Sequence, residues 1–179
     1  MTTVRLGLLG LFVVAIAACS TRQVFVPGLH PSIEAIGEFT TSNSICLKNG
    51  QPATDEVLFH NLDFRLQGYA SLHAWTGSAI SLLERELRKR GMTVSDGASK
   101  CLTLRITSVQ SSTFAAGEKI TLKLHVESSN GYSADYQPEN STQFLRNVQR
   151  QIDGVVMRGV VAMLNDPNIV EFLSETKLR

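Results

Sequence analysis

Ile120-Thr121-Leu122-Lys123-Leu124-His125-Val126-Glu127 decides how this chain folds. Apolar and polar residues alternate without a break, the pattern of a strand with one face in a core and one in solvent. Working outward, Leu102–Val109 repeats the pattern more loosely, with Leu102, Leu104 and Ile106 set against Thr103, Arg105 and Thr107. On the C-terminal side, Asn130-Gly131 resembles a two-residue type I′ hairpin turn, and a further strand is expected at Tyr132–Tyr136. These segments predict an antiparallel meander.

Two helices flank it. His73–Arg90 carries Ile80, Leu83 and Leu87 at helical spacing, i,i+4 pairs Glu84–Arg88 and Glu86–Arg90, and Gly91 as a stop. The second runs through Leu145, Val148, Ile152, Val155, Val156, Val160, Met163 and Leu164, capped by Asn140, Ser141 or Thr142 and ended by Asn165-Asp166-Pro167. Gly154 and Gly159 in that helix suggest close approach to the sheet, and Asn168–Leu173 forms a short final turn. Ser44–Lys48 reads as a first strand, and Gln51–Gly68 as a short strand or a loop over the core. The order β-α-β-β-β-α predicts an α+β sandwich, with two helices packed on one face of a mostly antiparallel four-stranded sheet. Its β-α-β crossover makes the strands at Cys46 and Cys101 parallel.

The N-terminus states an address. Arg5, the apolar run Leu6–Ile16 and Ala17-Ala18 form a secretory signal, too short to span a bilayer core of ~30 Å. Ile16-Ala17-Ala18-Cys19 resembles the lipobox of bacterial lipoproteins. In that family the peptidase cuts before the Cys, which carries diacylglyceryl and N-acyl chains. The resemblance implies a signal peptide at 1–18, a lipidated N-terminus and flexible tether at 19–43, and one periplasmic domain at 44–179. A cut after Ala18 beside a chance Cys is the plainer alternative. Ser20, where enterobacterial lipoproteins retained in the inner membrane carry Asp, implies the outer membrane. As a coil, the tether would span roughly 25–30 Å.

Cysteine usage agrees. Lipidation of Cys19 leaves Cys46 and Cys101 as a pair, which an oxidising periplasm would join in a disulfide; two separately buried thiols are the alternative. Without Arg5, 16 Lys and Arg balance 16 Asp and Glu, so nothing favours nucleic acid through phosphate neutralisation.

The residues Leu83…Glu86-Leu87…Arg90-Gly91-Met92-Thr93-Val94 and Val155…Val160…Met163-Leu164…Asp166…Ile169…Glu171-Phe172-Leu173 look like the YajG family of bacterial lipoproteins. The element order is also similar to LptE, the lipoprotein that plugs the lipopolysaccharide-exporting barrel. The YajG resemblance covers roughly residues 75–173, and that family carries no established catalytic residues to transfer.

Candidate chemistry is sparse. Ser78 lacks the second Gly of a nucleophile elbow. His30, His60, His73 and His125 have no partner at motif spacing; His60 and His73 could meet only through folding. Asp153 is either a buried acid or, as favoured here, an exposed residue beside Gln149 and Arg150. Trp75, Tyr69 and Phe64 form either a core or lid cluster or a partner-binding patch. The expectation is a non-enzymatic lipoprotein without metal or cofactor. It would be bound to the membrane through acyl chains on Cys19 and would serve an envelope complex as accessory or structural partner. A lipid- or glycan-binding module is the alternative, and a hydrolase a third.

Overall fold

The computed structural model describes residues 21–28, 36–37, 39, 43–63, 66–114, 117–142 and 148–174. Among the described residues the strands are β1 (Thr21–Phe25), β2 (Ser44–Asn49), β3 (Glu56–Asp63), β4 (Leu66–Ser71), β5 (Thr93–Val94), β6 (Cys101–Phe114), β7 (Gly117–Ser128), β8 (Ser133–Tyr136) and β9 (Glu139–Thr142). The helices are α1 (Leu72–Lys89), α2 (Val148–Leu164) and α3 (Pro167–Ser174). The fold is α+β, but with two sheets rather than one of four strands, and three helices rather than two. The larger sheet runs β5-β2-β6-β7-β8, with β9 also on β7, and the smaller runs β1-β4-β3.

The alternation of β7 holds from Glu118 to Ser128. Ile120, Leu122, Leu124 and Val126 are buried, and Lys119, Thr121, Lys123 and His125 are half-exposed. β6 pairs with it antiparallel, with a register shift between Ile106 and Ser108. This bulge changes the inward phase: Leu102, Leu104 and Ile106 are buried before it, Val109 after it, and Ser111 two positions further on is half-buried. The turn before β8 is not type I′. Gly131 has φ +93° and no described non-glycine residue has positive φ, whereas type I′ requires both central residues there. Ser128 O instead accepts from Gly131 N–H (3.0 Å) and Tyr132 O from Ser128 N–H (2.8 Å).

α1 begins where Ser71 Oγ accepts from Ala74 N–H, and it buries Leu72, Trp75, Ala79, Leu82, Leu83 and Leu87. It ends in a Schellman motif: Gly91, at φ +85°, donates to Arg88 O, and Met92 donates to Leu87 O. The expected pairs form, Arg88 to Glu84 and Arg90 to Glu86. Glu86 is buried. Burial works to raise its pKa, but hydrogen bonds from Lys89 and Arg90 outweigh it and hold the carboxyl below its ordinary value.

The described part of α2 starts at Val148; Leu145 lies outside the described residues. Asn140, Ser141 and Thr142, read as caps, lie in β9 and pair with Ile120, Lys119 and Glu118. A Cβ on Gly154 would fall on the Asn140 side chain, whose Nδ2 donates to Gln151 O (3.1 Å), so α2 and β9 approach closely here. Gly159 meets Pro138 and Leu124 only at ordinary contact distances. Asp166 ends α2 and starts α3: its Oδ1 accepts from Asn168 N–H, and its Oδ2 accepts from the hydroxyls of Tyr132 (2.8 Å) and Tyr136 (2.7 Å). β8 is thereby tied to the helical corner.

β2 and β6 are parallel neighbours with Cys46 opposite Cys101, and the two form a disulfide closing a separation of 55 residues. Among the described residues, no helix is long and apolar enough to cross a membrane.

Candidate functional site

Of the segment read as a tether, the described residues 21–28 are built into the domain. Thr21–Phe25 is β1, parallel to β4. Its continuation is held by both long helices. Trp75 Nε1 donates to Phe25 O (2.8 Å), and Ser78 Oγ donates to Pro27 O (3.1 Å). Gln149 Nε2 donates to Val26 O (2.9 Å), and Gly28 N–H donates to Asp153 Oδ1 (2.7 Å). Backbone groups that a flexible tether would leave to water are thus satisfied by side chains of α1 and α2. Asp153 is half-exposed and accepts from Gln149, as the favoured reading placed it, and it also anchors Gly28. Ser78 serves the same strap.

The small sheet has two unlike faces. Inward, Phe25 meets Phe59 edge-on with centroids 5.8 Å apart, and Phe59 meets Trp75 at 5.4 Å. Gly68 leaves room here, since a Cβ would lie 3.0 Å from His60 Cβ and 3.2 Å from Phe25 Cε2. Outward, the register aligns Val24, Tyr69 and Leu58 in one cross-strand row. Val24 is 47% exposed and Leu58 47%. Arg22 lies over the Tyr69 ring, 4.6 Å from its centroid, and pairs with Glu56. The sequence cluster of Trp75, Tyr69 and Phe64 is therefore divided: Trp75 is core, Tyr69 is on the outer face, and Phe64 lies outside the described residues.

A polar cluster joins the two sheets. A register shift between Leu58 and His60 lets consecutive residues Phe59 and His60 both be buried. His60 Nδ1 lies 2.9 Å from Ser111 Oγ and touches Glu118 Oε1, to which Ser111 Oγ also donates. His60 is 3% exposed and Glu118 fully buried. A nucleophilic relay needs one ring nitrogen toward the hydroxyl and the other toward the carboxylate. Here both oxygens meet Nδ1, while Nε2 has no hydrogen-bond partner. This arrangement locks β3 onto the β6–β7 hairpin and does not form a relay. Glu118 was legible in sequence, because the period-2 pattern extended back from Ile120 puts an acid on the core face.

His73 and His125 lie apart from it. His73 Nδ1 bonds Gln51 O (2.7 Å). His125, on the solvent side of β7, bonds Asp135 (2.8 Å) and Glu127 (3.0 Å). The Asp135 hydrogen bond raises its pKa above the ordinary value, burial opposes this, and Glu127 adds to the rise. His30 and Cys19 lie outside the described residues. Among the described residues, no group of three His, Cys, Asp or Glu could hold a metal ion.

These features define an α+β domain, stapled by one disulfide, with its N-terminal strand in a small sheet of its own. No family model matches the chain, and no curated protein matches it in sequence. Its fold is similar to the crystal structure of protein XCC0632 from Xanthomonas campestris, described by the family model DUF330. The TM-score is 0.51 at 8% identity, over 86% of this chain and 95% of that one.

Proposed function

We propose that this protein is a periplasmic lipoprotein, held in the outer membrane by acyl chains on Cys19, and a non-enzymatic accessory or structural partner of an envelope complex. The observation that carries the reading is the cysteine usage. Cys46 and Cys101 face each other across β2 and β6 and bond, which suits an oxidising compartment. Cys19 is left outside the bridge, in a lipobox-like context. Kinship with YajG-like lipoproteins rests on the helix and C-terminal residues quoted from the sequence. Ser20 favours the outer membrane over the inner.

The test has two parts. Cells expressing the chain are labelled with an alkyne palmitate, and the protein is compared with Cys19→Ser. The expected outcome is label on the first and none on the second. Envelopes crosslinked before solubilisation are then expected to yield a specific protein partner with the lipidated chain; recovery of the chain alone would count against the accessory role.

A further inference from the structure

We infer that the outer face of the β1-β4-β3 sheet, centred on Val24, Tyr69 and Leu58, rests against the phospholipid surface into which the Cys19 acyl chains insert. The inference rests on the reading of Cys19 as a lipid anchor. Its new content is where the domain sits.

Chain length sets the geometry. One residue, Ser20, separates Cys19 from β1. Extended chain advances at most about 3.6 Å per residue, so Thr21 Cα lies within about 7 Å of Cys19 Cα and Val24 Cα within about 18 Å. The acylated cysteine sits at the boundary of headgroups and hydrocarbon, and the headgroup layer is itself about 5–8 Å thick. With β1 bonded along its length to β4, and Phe25–Gly28 fixed to α1 and α2, no slack lets the domain drift away. The small sheet is therefore held at the membrane, and only its orientation remains to be chosen.

The chemistry of the face chooses it. Among the described residues, the exposed large apolar side chains are Val24, Val26, Leu58 and Phe114. Val24 and Leu58 occupy the same row of this sheet, and Val26 follows β1 directly. Between them lies Tyr69, capped by Arg22. Aliphatic side chains beside a Tyr and an Arg form the mixture that suits the water–lipid interface, where rings and long cationic stems have both an apolar and a wet neighbour. Arg22 is paired with Glu56, so among the described residues the face around Tyr69 carries no excess charge and needs no anionic lipid.

The test uses the lipidated, mature protein in phosphatidylcholine vesicles whose acyl chains are brominated near the glycerol. Tryptophan is introduced as Val24→Trp or as Leu58→Trp. Ser133→Trp serves as control: opposite Glu127, it lies nine residues along β7 from the Glu118–His60 contact, about 30 Å at strand rise. Trp75 is fully buried, and its emission is subtracted using the wild type. The expected result is flotation of every variant with vesicles, with blue-shifted and bromine-quenched emission from positions 24 and 58, and no change at 133. Flotation with unquenched, red-shifted emission at 24 and 58 would overturn the inference while leaving the anchor intact. Blue-shifted but unquenched emission would also overturn it, assigning the face to a protein or a second copy of this chain. Failure to float would remove the anchor reading, and this inference with it.

Discussion

Removing the Cys46–Cys101 bridge should weaken the fold by an amount that follows from where it lies. The two residues are register partners on adjacent parallel strands, and the loop between them contains β3, β4 and α1. With 55 residues of separation, the chain-entropy model gives about 4 kcal/mol. That is a large share of the 5–15 kcal/mol typical of whole domains. The test is urea unfolding of Cys46→Ala/Cys101→Ala against wild type, followed by circular dichroism. With a urea slope of about 2 kcal/mol/M, the midpoint should fall by about 2 M. Wild type with the bridge reduced should unfold near the double variant. A midpoint that does not move, with both thiols of the native protein open to alkylation after unfolding without reductant, would refute the reasoning.

Three further outcomes are expected. Glu118→Ala removes the carboxylate that half-buried Ser111 and buried His60 both meet and should cost about 1–3 kcal/mol in chemical denaturation, whereas Glu118→Gln should cost less. Gly154→Ala places a methyl against the Asn140 side chain and should displace its hydrogen bond to Gln151 O; that loss of about 1 kcal/mol offsets the ~1 kcal/mol gain in helix propensity, so thermal melts should show little net change. His125 has a folded pKa raised above its unfolded value near 6.5. Its contribution is therefore whole below about pH 6.5 and is lost as pH rises through the folded pKa. At this half-exposed site it should be under about 1 kcal/mol, visible as a decline in stability with pH that His125→Gln removes.

How much of this was legible depends on burial. β6, β7 and α1 each turn one face to the core, so their periods are written in Leu102–Ile106, Ile120–Val126 and Leu83–Leu87. That the strands carrying Cys46 and Cys101 run parallel followed from the crossover; that they are neighbours did not. The small sheet was hidden. β1 is an edge strand whose first four residues are exposed, so no alternation marks Thr21-Arg22-Gln23-Val24. Bulges broke the period in β3 at Phe59 and in β6 at Thr107. β5 and β9, of two and four residues, are too short to show a period, and so the larger sheet was undercounted. Asp153 and Asp166 owe their places to contacts with segments 125 and 30–34 residues away, which no local pattern records. Glu118 alone among the cluster residues had a readable signal.

The proposed function assigns Cys19 to the membrane and the other two cysteines to each other. Intact-mass measurement of the mature protein from envelopes, without reductant, tests both statements at once. The expected species is a chain beginning at Cys19, carrying the mass of diacylglyceryl and N-acyl groups, and two hydrogens lighter than the dithiol. A chain with unmodified Cys19, or with Cys19 bonded to Cys46 or Cys101, would contradict the proposed function.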